Sequence, residues 1–318
     1  MAGRQKARNL PSSRPEPATP TATNPAALNA RALSLLALLA SIWGSSFLFI
    51  RLAVDDFGVV PLTASRSLIA AVTLTPLALL KGKGALLREN AWHLFVLGLI
   101  STALPFCFLS ISTRYTSAGF ASILNAFTPI CSALIAWSWL REQLSLPALL
   151  GIGVSFLGLL VMVGSPELLA ADYGLLPVAV GIGATLLYGL TGIYSRKFVP
   201  HLPPLVVSAG CQIAAAAALL PLALLQWPAA PIAASSWLIA AVLGIVCTGT
   251  AYIIYFHLLA TVGVTRTVIV TYLSPVFAML WGVLFIDETV TWRMLVGAAG
   301  IMAGIALTSY RPGPRAAA

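Results

Sequence analysis

Pro129 and Pro275 stand inside apolar runs, where each withholds a backbone donor and disturbs the carbonyl four residues earlier, at Asn125 and Thr271. Polar side chains recur beside both at helical spacing: Asn125, Thr128 and Ser132 around the first, Thr267, Thr271 and Ser274 around the second. Freed carbonyls, hydroxyls and an amide can hold a polar solute without making or breaking bonds. The competing reading is local, because Ser and Thr commonly bond back to their own helix or join neighbouring helices. For Asn125 an unpartnered amide in an apolar setting is costly, which favours a cavity. Trp43 and Tyr188, each followed by glycine, and Tyr252, Tyr255 and Tyr272 add rings. Such rings either line a pocket for apolar or cationic groups or serve as core and interfacial packing. Arg51 and Arg66 fall near Asp55 and Asp56, which reads as an ion pair at the edge of an apolar layer, with steering of a substrate carboxylate as the alternative.

Catalytic and metal chemistry finds no comparable constellation. His93, His201 and His257 lie in separate segments, and there is no HExxH and no GxxxxGK[ST] segment. The reading is therefore not an enzyme, with no metal, no cofactor and no self-contained ATP-driven pump. The cysteines, Cys107, Cys131, Cys211 and Cys247, lie inside apolar runs with no metal-type spacing, so they read as small hydrophobes.

The elements that must position these groups follow from composition. Of 318 residues 59% are hydrophobic and 8% charged, and mean hydropathy is +0.95, whereas a soluble domain carries about 25% charged residues. Most of the surface must therefore meet lipid. The net charge of +9 is no nucleic-acid footprint, because Lys and Arg sit between apolar runs. Residues 1–32, rich in Pro, Ala, Ser, Thr and Arg, read as a disordered tail. A cleaved signal peptide competes for the first apolar run, but the polar leader is long and the run outlasts an h-region.

Ten spans of roughly 20 residues follow: 33–54, 61–80, 93–112, 117–140, 146–164, 175–194, 204–225, 237–259, 264–285 and 292–310. In lipid their backbone groups must be satisfied internally, which makes the fold all-α. Fourteen of the 18 Lys and Arg fall in the tails and the even-numbered loops, so both termini are expected in the cytoplasm. Sliding the chain on itself by 146 residues brings Thr102 over Thr248, Pro129 over Pro275, Glu142 over Glu288, Gly151 over Gly297 and Gly158 over Gly304. A shift of 145 brings Trp43-Gly44 over Tyr188-Gly189 and Arg51 over Arg196. Chance pairing of apolar residues explains Leu on Leu but not this set. Five spans in each half, an odd number, force the second half to enter from the opposite side, giving two inverted five-helix repeats at 33–165 and 173–310 followed by a tail, 311–318. Recurring glycines in spans five and ten, including Gly300 and Gly304, read as packing faces, within the monomer or between two copies in a homodimer.

These features resemble the drug/metabolite transporter superfamily, in its EamA-like branch of ten-helix carriers. The resemblance rests on Trp43-Gly44-Ser45-Ser46-Phe47, on Arg66, and on the doubled ending: Pro129, Arg141-Glu142, Gly151 and Gly158, then Leu273-Ser274-Pro275, Asp287-Glu288, Gly297 and Gly304. It implies a secondary carrier for a small metabolite, an amino acid or related compound, working by alternating access with export the expected direction. Ser46 joins the candidate binding set of Trp43, Asn125, Thr128, Tyr188, Tyr252, Tyr255, Thr271, Tyr272 and Ser274. The expected partners are that small molecule and the bilayer, with no nucleic acid. The expected place is the cell membrane, the inner one for a bacterial chain. A channel, or a membrane sensor or scaffold, is the other reading. Channels usually build pores across subunits, and a sensor calls for a folded soluble domain.

Overall fold

A computed structural model describes residues 30–141, 143–164, 168, 172–267 and 269–309. Most of the expected N-terminal tail, the C-terminal tail, Glu142 and Tyr310 lie outside the described residues. Residues 30–32, read as the end of the tail, belong instead to the first helix.

Among the described residues nine helices are long and apolar enough to cross a membrane, and a shorter apolar one, Trp292–Thr308, occupies the tenth position. The first span is Ala30–Phe57, the second Val59–Leu80, the fifth Leu146–Val163, the sixth Leu176–Phe198 and the seventh Pro204–Leu225. The third, fourth and eighth are interrupted. The third span (Ala91–Tyr115) passes through a π-helical turn at Leu99–Ala103, and the eighth (Ala234–Val262) through one at Ile245–Thr250. These two turns start 146 residues apart. The fourth span runs as Ala118–Asn125 and Thr128–Leu140, and the ninth is described at Val264–Thr267 and Ile269–Ile286, with Val268 between them outside the described residues.

The prolines behave differently from the symmetric kinks that their spacing predicts. Pro129 sits in the first turn of Thr128–Leu140, just after a turn at Ala126 and Phe127 interrupts the helix. A first-turn proline has no helical acceptor to lose, so it starts a helix rather than kinking one. Pro275 lies inside Ile269–Ile286. The spans end alike all the same: Arg141 and Asp287, again 146 apart, close the fourth and ninth spans with φ of 54° and 53°. That left-handed region is uncommon for residues other than glycine.

Close backbone approaches reveal how the halves meet. A methyl group on Gly158 would lie 2.7 Å from the Gly297 carbonyl, and one on Gly297 2.8 Å from the Gly158 carbonyl. Gly151 faces Gly304 in the same way, so residue numbers rise along the fifth span as they fall along the tenth. Between these contacts Ser155 Oγ donates to the Ile301 carbonyl at 3.2 Å, and Ser155 and Ile301 are themselves repeat equivalents. A methyl on Gly98 would meet the Cys211 carbonyl at 2.7 Å, and one on its equivalent Gly244 would meet the carbonyl of Arg66, the equivalent of Cys211, at 3.0 Å. Each contact thus recurs with the halves exchanged. Antiparallel equivalents related in this way have a pseudo-two-fold axis lying in the membrane plane, which is the inverted repeat.

Candidate functional site

Arg66 is the one charged side chain among the described residues that is buried, at 6% exposure. It projects from the second span without a carboxylate partner among those residues. Its Nε donates to Thr248 Oγ1 at 3.0 Å and its Nη2 to Ser46 Oγ at 3.3 Å. Its guanidinium carbon lies 4.0 Å from the centre of the Phe106 ring, a cation–π contact.

The position of Thr248 follows from the π-helical turn of the eighth span. Thr248 Oγ1 donates to the Leu243 carbonyl at 2.8 Å, five residues back, which leaves an oxygen lone pair for Arg66. Single π turns inside α-helices are frequent at functional sites because they rotate the residues beyond them out of helical register. Nearby, Ser45 Oγ and Cys247 Sγ are 4.0 Å apart, linking the first and eighth spans.

Two tyrosines join Phe106 near this cation. Tyr188 and Tyr252 are half-buried on the sixth and eighth spans. Both lie within electrostatic reach of Arg66. Trp43 and Tyr255 pack with ring centres 5.5 Å apart. The repeat shift pairs Trp43 with Tyr188 and Phe106 with Tyr252, so the rings form two symmetric sets contributed by both halves. Arg66 breaks that symmetry, because its equivalent is Cys211.

The structure brings Ser46, Tyr188 and Tyr252 of the sequence-derived set to Arg66, packs Trp43 and Tyr255 against the apolar cluster of Leu36, Leu39 and Ala251 with Tyr255 within electrostatic reach of Tyr252, and treats the stripes of the fourth and ninth spans otherwise. Thr128 Oγ1 donates to the Asn125 carbonyl at 2.7 Å and Ser132 Oγ to the Thr128 carbonyl at 2.9 Å. Thr267 Oγ1 donates to the Gly263 carbonyl and Ser274 Oγ to the Val270 carbonyl, both at 2.8 Å. These hydroxyls serve their own helices, the local reading of the stripes. Tyr272 packs against the apolar cluster of Phe120, Phe127 and Ile301. Thr271 is half-buried, and Asn125 Oδ1 is buried with no partner among the described residues.

The expected pairing of Arg66 with Asp55 or Asp56 is corrected. Asp55 takes Arg114 Nε at 2.9 Å and Arg51 Nη1 at 3.5 Å, and Asp56 accepts from Ser236 Oγ. Phe106, Thr248 and the depth of Arg66 were missed. The available signal was an arginine seven residues into an apolar helix with no acid three or four positions away.

At the bundle end carrying Asp55 and Arg114, an open cleft of about 870 Å³ is lined by Arg51, Arg114, Tyr115, Tyr173, Asp287 and Glu288, among others. Glu288 accepts the Ala118 N–H with both oxygens, at 2.8 and 3.0 Å. It thereby sets a negative charge at the N-terminus of the fourth span, where the helix dipole favours it.

Two antiparallel five-helix halves enclosing a polar, ring-lined interior define a multi-pass membrane transporter. The comparisons with known proteins agree. The EamA-like transporter family matches residues 30–164 and again 175–310, and the chain belongs to that family. It is 25% identical over 289 residues to an uncharacterized transporter of Archaeoglobus fulgidus, covering 89% of this chain and 99% of that one. It is 25% identical over 290 residues to a probable terminal-alkyne amino-acid exporter of Streptantibioticus cattleyicolor, covering 88% and 94%. A crystal structure superposes with a TM-score of 0.62 at 20% identity, over 88% of this chain and 97% of the other, a likeness of fold. The family and the relatives bear the names of transporters, not of enzymes.

Proposed function

We propose that the protein is a secondary carrier that exports a small metabolite, an amino acid or a related compound, from the cell by alternating access. The observation that carries this reading is the exchange of contacts between antiparallel halves around a shared interior. Two halves of similar energy and opposite orientation can trade conformations, and each trade opens the interior to the other side. The groups found there, one cation, hydroxyls and rings, bind solute by hydrogen bonds, charge and stacking. The relative named as a probable amino-acid exporter supports the substrate class.

Counterflow in proteoliposomes tests the reading. Vesicles loaded with millimolar unlabelled L-amino acids should accumulate the matching radiolabelled amino acid transiently and with saturation. Flux that rises linearly with concentration would indicate a channel, and no flux of any solute by folded protein would sink the carrier.

A further inference from the structure

We propose that Arg66 is an anion seat, and that the transported solute places a carboxylate there while its remaining surface lies against the rings of Phe106, Tyr188 and Tyr252. The inference rests on the carrier reading, since it names the substrate chemistry of that same interior.

The argument begins with a cost. A guanidinium taken out of water and left without a counter-charge is among the most expensive things a membrane interior can hold. A structural arginine at that depth is expected to sit against an acid. Arg66 instead faces hydroxyls and a ring, and its hydrogen bonds use only Nε and Nη2. Its Nη1 has no partner among the described residues, yet it is absent from the sealed-off polar atoms there, so it borders accessible space. Nε and Nη2 face Thr248 and Ser46, which fix the plane of the guanidinium. The Nη1 side is therefore the free part of a fork that matches a carboxylate. The helix that bears the cation and the one packed beside it also hold polar groups, sealed away from that accessible space. Gln212, fully buried on the seventh span, has neither amide atom partnered among the described residues, and neither has the hydroxyl of its repeat equivalent Ser67, next to Arg66 in sequence. The second and seventh spans pack together, Ala64 near Ala215 and Leu74 near Ala209. These sealed groups lie on the helix that bears Arg66 and on its neighbour, and the accessible side of Nη1 is what carries the inference.

The probes are benzoate and L-phenylalanine, each compared with its amide, benzamide and L-phenylalaninamide, on purified protein in detergent. The readout is the unfolding temperature. Both carboxylates should raise it by several degrees, both amides should leave it unchanged, and Arg66→Gln should abolish the rise. Arg66→Gln without ligand should unfold at the wild-type temperature or above, because a buried charge without a counter-charge has been removed. Arg66→Lys, which keeps the charge and loses the fork, should retain a rise smaller than that of the wild type. If Arg66→Gln fails to fold, Thr248→Val is read in its place and should weaken benzoate binding at least threefold. Four results would overturn the seat: no rise in the wild type, an equal rise with the amides, an equal rise in the variants, or an equal rise with chloride alone. Counterflow separates the two readings. Saturable flux of amides and acids alike in both wild type and Arg66→Gln leaves the carrier standing and removes the seat, whereas carboxylate-specific stabilisation without flux removes the carrier.

Discussion

Thr248 and Thr102 occupy equivalent places in the two π-helical turns, but only one of them touches a charge. Thr248 Oγ1 accepts from Arg66, whereas Thr102 Oγ1 lies 3.3 Å from Ser101 Oγ. A hydrogen bond to an ionised group contributes about 1.5–3 kcal/mol, against about 1 kcal/mol for a neutral pair. Thr248→Val should therefore lower the apparent affinity for transported solute by roughly tenfold or more, and Thr102→Val by about fivefold or less. Saturation curves of counterflow for the two variants check this. Equal effects would mean that the turns serve only packing. The same comparison shows why the site was partly legible in the sequence. The repeat shift aligns Thr102 with Thr248, but which member of a pair meets a cation depends on Arg66, whose equivalent is a cysteine. The stripe at Asn125 misleads in the opposite direction: hydroxyl spacing on a helix looks the same whether the groups face a solute or their own carbonyls.

At the scale of the helix, the fifth and tenth spans offer a test of close packing with an internal control. Gly158 faces the Gly297 carbonyl, while Gly153, on the same helix, has open space where a side chain would go. Gly158→Ala should destabilise the protein by about 1–3 kcal/mol through overpacking, and Gly153→Ala should be neutral or stabilise it by about 0.5–1 kcal/mol, the ordinary preference of a helix for alanine. Thermal unfolding in detergent should show one midpoint falling and the other holding or rising; two midpoints that fall together would place Gly153 in a contact. Element count, order and pairing were legible because a 20-residue apolar run and a doubled set of Gly, Pro and acid residues are local signals. Helix ends were not. The first span continues to Phe57 and the second begins at Val59, so Arg66 lies deeper than a span starting at Pro61 implies, and Asp55 is left to Arg114. The π turns escape a hydropathy reading because they alter hydrogen-bond register without altering composition.

The whole molecule carries its charge unevenly, and that asymmetry predicts which way it faces. Among the described residues Arg31, Lys81, Lys83, Arg88, Arg141, Arg196, Lys197 and Arg266 gather at one end with Glu89. Asp55, Asp56, Asp172, Asp287 and Glu288 gather at the other with Arg51, Arg114 and Arg293. Basic loops are retained in the cytoplasm during insertion, so the end bearing Lys81 should face inward and the cleft beside Glu288 should open outward. The native cysteines Cys107, Cys131, Cys211 and Cys247 are all buried, which keeps the background of thiol labelling low. Lys81→Cys and Asp172→Cys both lie at exposed positions. On intact cells a membrane-impermeant maleimide should label Asp172→Cys within minutes and leave Lys81→Cys untouched until the cells are opened. The reverse pattern would invert the molecule, turn the cleft lined by Glu288 toward the cytoplasm, and make that cleft the entrance for exported solute rather than its exit.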